Sequence, residues 1–199
     1  MTSDPQIDEI LDVWLGPGEV PAADRRERWW TKDPAFDAML EERFGALLER
    51  AAEGELDSWA RTARGALALV ILLDQLSRNI FRGTPRAFAQ DPRALELARV
   101  ALEHGLDAEL PLDHRVFLYM PLMHAEDLEA QRECVRLFEQ LAREAPPDRR
   151  DTLQNNVEFA ARHLEIIERF GRFPHRNAIL GRDTTPEEEA FLREPGSSF

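Results

Sequence analysis

Acidic, basic and amide side chains follow one another at helical spacing in a single stretch of the chain. Asp74, Arg78 and Arg82 recur every four residues and so share one face of a helix, while Gln75 and Asn79 form a second row beside them. The residues just before them are apolar on every side, which predicts a helix that its neighbours bury. Because a charged side chain is rarely buried without a partner, these residues either form an internal ionic network or face a pocket and bind a ligand there.

A histidine flanked by carboxylates lies in the segment FLYMPLMHAEDLEAQ. Pro121 should end or kink the helix that begins at His114, so that His124 and Glu126 lie at or just before the start of the next helix. Helix starts bind anions, and a histidine beside a carboxylate can transfer protons. We therefore predict His124 and Glu126 as catalytic candidates, with a hydrogen-bonded structural histidine as the alternative. The spacing H-x-E-D matches no metal motif, so no metal site is predicted.

Arginine and histidine side chains are concentrated again in the segment FGRFPHRNAILGR. Pro174 is expected to hold this segment extended, which presents four polar side chains from non-helical backbone: Arg172, His175, Arg176 and Asn177. Guanidinium groups bind carboxylate or phosphate in a bidentate manner, and His175 is a further acid–base candidate. His163, on the preceding helix, could face the same region. The alternative is that the phenylalanines anchor the tail while the arginines pair with surplus acids.

The composition limits the classes of partner. The chain of 199 residues has a net charge of −13, whereas binding to nucleic acids or anionic membranes requires a basic surface. No window approaches the roughly 20 apolar residues of a membrane span, and the acidic N-terminus lacks the features of a secretory signal.

The lone Cys134 lies on an apolar helical stripe, so we predict a buried thiol in a reducing cytoplasm. The glycine-rich phosphate loop, the dinucleotide fingerprint and the GxSxG elbow are missing from the sequence, so no cofactor is predicted.

Helix start signals and apolar stripes predict an all-α fold without a sheet. Asp-Pro pairs at Asp4, Asp33 and Asp91 each precede a predicted helix, and Thr185 begins a capping box with Glu188. The predicted helices span residues 5–15, 34–53, 63–80, 92–105, 114–120, 126–144, 149–169 and 186–193. The longest predicted connection comprises residues 16–32. Since no linker or low-complexity tract divides the chain, residues 1–199 are predicted to form a single all-α domain.

Three of these segments closely resemble the bacterial family catalogued as domain of unknown function 924. The resemblance rests on DQLSRNIFRG, FLYMPLMHAEDLEAQ and FGRFPHRNAILGRDTTPEEEAFL, and it runs from about Trp14 to the closing GSSF. Ser77 and Ala125 stand where the family pattern has proline and serine. The resemblance implies a tetratricopeptide-like array of packed antiparallel helix pairs, about seven to eight helices, and it assigns no activity. It also implies that the following positions carry over from the family pattern: Asp74, Gln75, Arg78, Asn79, Arg82, His124, Glu126, His163, Arg172, His175, Arg176 and Asn177.

Three functional hypotheses follow from these residues. In the leading hypothesis, the three segments converge in an Arg- and His-lined pocket that binds a small anionic or polar metabolite. If the protein is an enzyme, which the sequence leaves open, His124 or His175 would transfer protons and Glu126 or Asp74 would orient that histidine. In the second, a tetratricopeptide-like scaffold binds an acidic peptide or a C-terminal carboxylate. In the third, the clusters pair internally and bind no ligand. The sequence does not indicate an oligomeric state.

Overall fold

The structure is a computed structural model that describes residues 4–197, and this range is all-α. Within it the chain forms ten helices, more than the seven to eight predicted, and no strand. In chain order they are α1 (Pro5–Trp14), α2 (Ala23–Trp30), α3 (Pro34–Ala52), α4 (in three parts, below), α5 (Asp91–Glu103), α6 (Leu112–His124), α7 (Leu128–Glu144), α8 (Pro147–Phe170), α9 (Asn177–Leu180) and α10 (Pro186–Phe191). The predicted all-α fold is confirmed.

Helix α4 is continuous but has three parts. An α-helical part, Ala63–Val70, leads into a π-helical turn, Ile71–Leu76, and a final α-helical part, Ser77–Ile80. Short 3₁₀ turns lie between the longer helices, at Asp57–Arg61, Pro85–Phe88, Leu106–Glu109 and Pro174–Arg176. None of the helices in the described range is long and apolar enough to cross a membrane.

Most of the predicted start signals cap helices. Asp4, Asp33 and Thr185 each accept a hydrogen bond from a backbone N–H in the first turn of α1, α3 and α10, and both bonds of the predicted capping box are present. At α5 the predicted cap is wrong, because Asp91 is already the first residue of the helix and Gln90 is the N-cap residue. The Asp91 carboxylate binds the Arg78 guanidinium, a stronger partner than a backbone amide.

Helix α2 lies within residues 16–32, so the prediction of a connection there is wrong. None of the residues of α2 is buried, and an exposed helix has no apolar stripe from which to predict it. Hydrogen bonds to the end of α1 hold it in place. Arg25 Nη1 donates to two carbonyls there over 2.8 and 2.5 Å, and Trp29 Nε1 donates to the Trp14 carbonyl over 2.9 Å. The Val13 and Trp14 carbonyls are among those that a helix end leaves without an intrahelical partner, and these side chains satisfy them.

Helix α6 continues through Pro121 to His124, so the proline does not end the helix near residue 120 as predicted. The side chains around the proline are buried, and Phe117 and Leu122 are each 0% exposed. Burying one such side chain contributes roughly 1.5–3 kcal/mol, so several together outweigh the roughly 3 kcal/mol that an internal proline costs. His124 therefore lies at the end of α6, and Asp127 caps the start of α7.

The chain divides into two compact units. The first comprises Met1–Arg82 and Arg86–Pro121, and the second comprises Gly83–Pro85 and Leu122–Phe199. The apolar part of α4 is buried in the first unit as predicted, because every residue from 66 to 73 is at most 1% exposed. In the second unit α7 packs against α8, and the predicted burial of Cys134 is confirmed. The single domain predicted for residues 1–199 stays a prediction.

Candidate functional site

The polar end of α4, in the first unit, contains Asp74 and Arg78, which lie four residues apart in the sequence. The π-helical turn Ile71–Leu76 winds with more residues per turn than an α-helix, and Asp74 and Arg78 nevertheless contact each other across four residues. The helix also ends at Ile80, before Arg82. Because π-helical turns often occur at functional sites, the contacts of each side chain must decide between an ionic network and a ligand site.

Arg78 binds two carboxylates at this end of α4. Its two terminal nitrogens donate to the two oxygens of Asp91, each over 2.9 Å, and Nη1 lies 3.1 Å from Asp74 Oδ1. Asp74 is 0% exposed and also accepts a 2.6 Å hydrogen bond from Gln75 Nε2. Burial alone would lower the pKa of Arg78, but the charges of Asp74 and Asp91 outweigh it and raise the pKa. The buried charges therefore compensate one another.

Asn79 and Arg82 converge on Asp37 of α3. Arg82 donates to both Asp37 oxygens, over 2.7 and 3.0 Å, and Asn79 Nδ2 donates over 2.8 Å. Burial raises the pKa of Asp37, but the hydrogen bonds from Arg82 and Asn79 outweigh it and lower the pKa. These contacts and those of Arg78 favour the internal ionic network. A ligand-binding role for these residues stays a prediction.

In the second unit, two histidines and an arginine lie around the ring of Phe173, and a third histidine lies beside one of them. The ring centres of His124 and His163 are 6.5 Å apart, and the centres of His163 and His175 lie 5.5 and 5.7 Å from that of Phe173. The Cζ atom of Arg176 lies 4.5 Å from the Phe173 ring centre. The end of α6, the middle of α8 and the turn before α9 supply these side chains. We call His124, His163, His175 and Arg176 the histidine–arginine cluster.

Two imidazoles of the cluster are held neutral. Burial lowers the pKa of His163 to about 3, and the neighbouring His124 and Arg176 act in the same direction. His163 Nδ1 lies 2.8 Å from the Phe159 carbonyl oxygen, and because a carbonyl only accepts, Nδ1 carries the proton. Burial also lowers the pKa of His175 to about 4, with the charge of Arg176 as the next cause. At pH 7 each ring therefore has one donor and one acceptor nitrogen.

Glu126 and Arg182 hold the backbone of Phe173 from both sides. The Phe173 N–H donates to Glu126 over 2.8 Å, and its carbonyl accepts from Arg182 Nη2 over 3.1 Å. Arg182 also donates to both Glu126 oxygens, over 2.6 and 2.9 Å. Burial raises the pKa of Glu126, but Arg182 and the Phe173 amide outweigh it and lower the pKa. These contacts give Glu126 a positioning role, and its catalytic role stays a prediction.

Arg172 and Asn177, both predicted to bind a ligand, contact Glu188 of α10. Arg172 donates to its two oxygens over 2.6 and 2.9 Å, and Asn177 Nδ2 donates over 3.3 Å. The hydrogen bond from Arg172 is the largest cause that lowers the pKa of Glu188 to about 2. The same carboxylate accepts from the Thr185 amide in the capping box. Glu188 therefore joins the start of α10 to the turn that carries His175.

The segment around Pro174 is not extended, so that prediction is wrong. Gly171, with φ of 68°, ends α8, and Pro174–Arg176 then forms a 3₁₀ turn that continues into α9 at Asn177. A proline fits the first turn of a helix as well as it fits extended backbone, because its fixed φ suits both. His175, Arg176 and Asn177 are therefore presented from short helical turns, whereas Arg172 lies in the non-helical bend before them, as predicted.

Two residues that the sequence predictions omitted support the cluster. Arg182 holds Glu126 and Phe173, as described above. Gln131 is 0% exposed, and its Nε2 donates to the carbonyls of Met123 and Ala125 over 2.6 and 2.8 Å, on either side of His124. A polar residue on the apolar stripe of α7 was the signal that could have identified Gln131, because buried polar groups need partners. Nothing in the spacing of Arg182 pointed to its role.

Two clefts are lined by other residues than those predicted. One of about 590 Å³ lies among α1, α2 and α3 of the first unit, and one of about 540 Å³ lies between α7 and α8 of the second. In the part of the chain that the structure describes, no group of three or more His, Cys, Asp or Glu residues could hold a metal ion. The convergence of all three segments in one pocket stays a prediction.

Comparison with known proteins gives a family and a similar structure. The family model described as bacterial protein of unknown function (DUF924) matches residues 10–196. The chain is also similar to the structure of a protein of unknown function, ATU0120, from Agrobacterium tumefaciens. The two share 40% sequence identity with a TM-score of 0.82, over 95% of this chain and 97% of the other. No curated protein matches the chain.

Proposed function

Because the chain belongs to the DUF924 family of bacterial proteins, whose description assigns no activity, we propose a function from its own residues: the histidine–arginine cluster of the second unit binds a small anionic ligand. Arg176 would bind the charged group of the ligand, and the neutral imidazoles would donate to or accept from its other polar atoms. The positioning residues Glu126 and Arg182 would hold the turn in place while the ligand binds.

One observation carries this proposal: the buried guanidinium of Arg176 lies against the Phe173 ring, which His163 and His175 also contact. Arg176 is only 6% exposed, and its charge lowers the pKa of both His163 and His175. Of the neighbouring groups, Arg176, His124 and Arg182 lower the pKa of His175 by their charge, and Glu126 raises it. The positive groups outnumber the negative one, in a chain whose net charge is −13. An anion would therefore be attracted to this place and not to the surface at large.

The polar end of α4 we propose to be structural. Arg78 and Arg82 already form paired hydrogen bonds with Asp91 and Asp37. A ligand that bound either guanidinium would have to displace a carboxylate of the same unit. Displacement leaves that carboxylate without its partner, which is costly for a partly buried ion pair. We thus propose an internal ionic network without a ligand in the first unit and binding of a small anionic ligand in the second unit.

The test is a thermal-shift screen with phosphorylated and carboxylated metabolites and with an acidic peptide as a separate arm. A ligand at about 100 times its Kd stabilises a protein by about 2.7 kcal/mol, which raises the Tm of a chain of this length by roughly 5–10 °C. Arg176→Gln should abolish the shift, and Arg176→Lys should retain part of it because the charge remains. Arg132→Gln is the control, since Arg132 is half exposed on α7.

Two results would contradict the proposal. One is that no anion raises the Tm of the wild-type protein. The other is that a ligand raises the Tm of the Arg176→Gln variant as much as that of the wild type. A shift that the acidic peptide alone produces would support the scaffold hypothesis in place of metabolite binding.

A further inference from the structure

A cleft of the first unit, remote in sequence from the histidine–arginine cluster, combines charges of both signs with apolar side chains. Helices α1, α2 and α3 line it, and its volume of about 590 Å³ is in the range of small-molecule sites. The acidic side chains come from α1, and the basic ones from α2 and α3. We call it the N-terminal cleft.

The walls of the N-terminal cleft are fixed by side-chain hydrogen bonds. Arg25 of α2 donates to the carbonyls of Asp12 and Val13 at the end of α1, and Arg43 of α3 donates to Glu9 over 2.7 Å. All three helices are therefore tied together around the opening. A cleft whose walls are tied in this way loses little conformational freedom when a ligand binds.

Among the described residues, one charge of each sign in the cleft lacks an ion-pair partner. Within residues 4–197, neither the Asp12 carboxylate nor the Arg28 guanidinium forms an ion pair, with each other or with a third group. Both are exposed and both line the same cleft. The Arg28 guanidinium is nevertheless held in place, because its Cζ lies 5.0 Å from the ring centre of Phe36. Opposite charges that share a cleft without pairing leave room for a ligand between them.

We propose that the N-terminal cleft binds a small zwitterion of the amino-acid or dipeptide class. Its ammonium group pairs with Asp12 and its carboxylate pairs with Arg28, in the bidentate geometry that guanidinium favours. Its apolar body contacts Val13, Phe36 and Met39, which line the same cleft. A simple anion would be repelled by the carboxylates of α1, and a simple cation by the arginines of α2 and α3. A ligand that carries both charges is repelled by neither wall.

Isothermal titration with four probes tests this proposal: leucine, leucyl-leucine, N-acetyl-leucyl-leucine and leucyl-leucine amide. Acetylation removes the ammonium charge and amidation removes the carboxylate. Each cap should weaken binding of the wild-type protein by about tenfold, because each removes one charge-assisted hydrogen-bonded pair. Comparison of leucine with leucyl-leucine tells which of the two sizes the cleft takes.

Two variants assign the ends of the ligand. Asp12→Asn should bind the acetylated and free peptides equally, and Arg28→Gln should bind the amidated and free peptides equally. Asp24→Asn and Arg61→Gln are matched controls, since both residues are exposed and neither lines the cleft. The proposal is overturned if neither leucine nor leucyl-leucine binds saturably. It is also overturned if acetylation weakens binding to Asp12→Asn, and amidation weakens binding to Arg28→Gln, as much as each weakens binding to the wild type.

Discussion

Acidification should destabilise the protein in a pH range where its carboxylates are still ionised. The pKa of His163 is lowered to about 3 and that of His175 to about 4, from an ordinary value of 6.5. As the pH falls below 6.5, the unfolded chain takes up a proton at each histidine while the folded protein does not. The unfolded state then binds more protons, so the free energy of unfolding decreases as the pH decreases. The full contribution is present above pH 6.5 and is lost progressively toward the folded-state pKa values.

The size of this effect follows from the two pKa values. Between pH 7 and pH 5, each buried neutral histidine lowers the free energy of unfolding by about 2 kcal/mol, and the pair by about 4 kcal/mol. His114 in the first unit is also buried with a lowered pKa, so it adds to the change in the wild-type protein. The carboxylates with lowered pKa values, such as Glu188, lose their contribution only below their ordinary value of 4.5. The histidines therefore dominate this pH range.

Urea unfolding at a series of pH values between 7 and 5 measures the effect. The decisive quantity is the difference in stability between the two pH values, because a substitution also changes the stability itself. His163→Gln should reduce that difference by about 2 kcal/mol. His104→Gln is the matched control, since His104 is exposed, and it should leave the difference unchanged. A His163→Gln variant with the same pH dependence as the wild type would refute the argument that His163 is buried in its neutral form.

Two further predictions concern the first unit. Gly65→Ala should lower the free energy of unfolding by about 3 kcal/mol in urea, because the added Cβ would lie 2.1 Å from the Trp59 carbonyl oxygen. Gly45→Ala, whose Cβ meets no atom closer than 3.8 Å, should instead raise it by up to about 1 kcal/mol through helix propensity. Equal effects of the two would contradict the close packing of α4. Asp91→Asn should cost about 2 kcal/mol, less than a fully buried pair because the Asp91 and Arg78 side chains are 14% and 19% exposed. Glu55→Gln, in a half-exposed pair with Arg50, should cost less than about 1 kcal/mol, and a similar loss in both variants would argue against a buried network.

The sequence predicted the helices that have a buried face or a side-chain cap, and it failed where neither exists. Asp33 and Thr185 act locally, within one turn, so their role can be read without knowledge of the fold. Helix α2 has no buried residue and depends on Arg25 and Trp29 reaching the end of α1. Such contacts join residues that lie more than one helical turn apart in the sequence, so a local sequence pattern does not reveal them. The same holds for the burial that carries α6 through Pro121.

The candidate site was predicted as a set of residues but not as a set of contacts. The π-helical turn in α4 could not be predicted, because a helix that is apolar on every side has no periodicity to show where its winding changes. Within the second unit, His163, His175 and Arg176 do lie around the Phe173 ring, and His124 lies beside His163. The partners Arg182 and Glu188 approach from later in the chain, at sequence separations that no local rule covers.

The double hold on Phe173 makes one amide proton a reporter of the cluster. That proton is donated to Glu126, which Arg182 holds in turn, so its exchange with deuterium requires the charged contacts to open first. Its exchange rate therefore measures how often the turn beside His175 opens. A ligand bound between the imidazoles and Arg176 would slow that exchange, so the same amide proton would report the occupancy of the cluster.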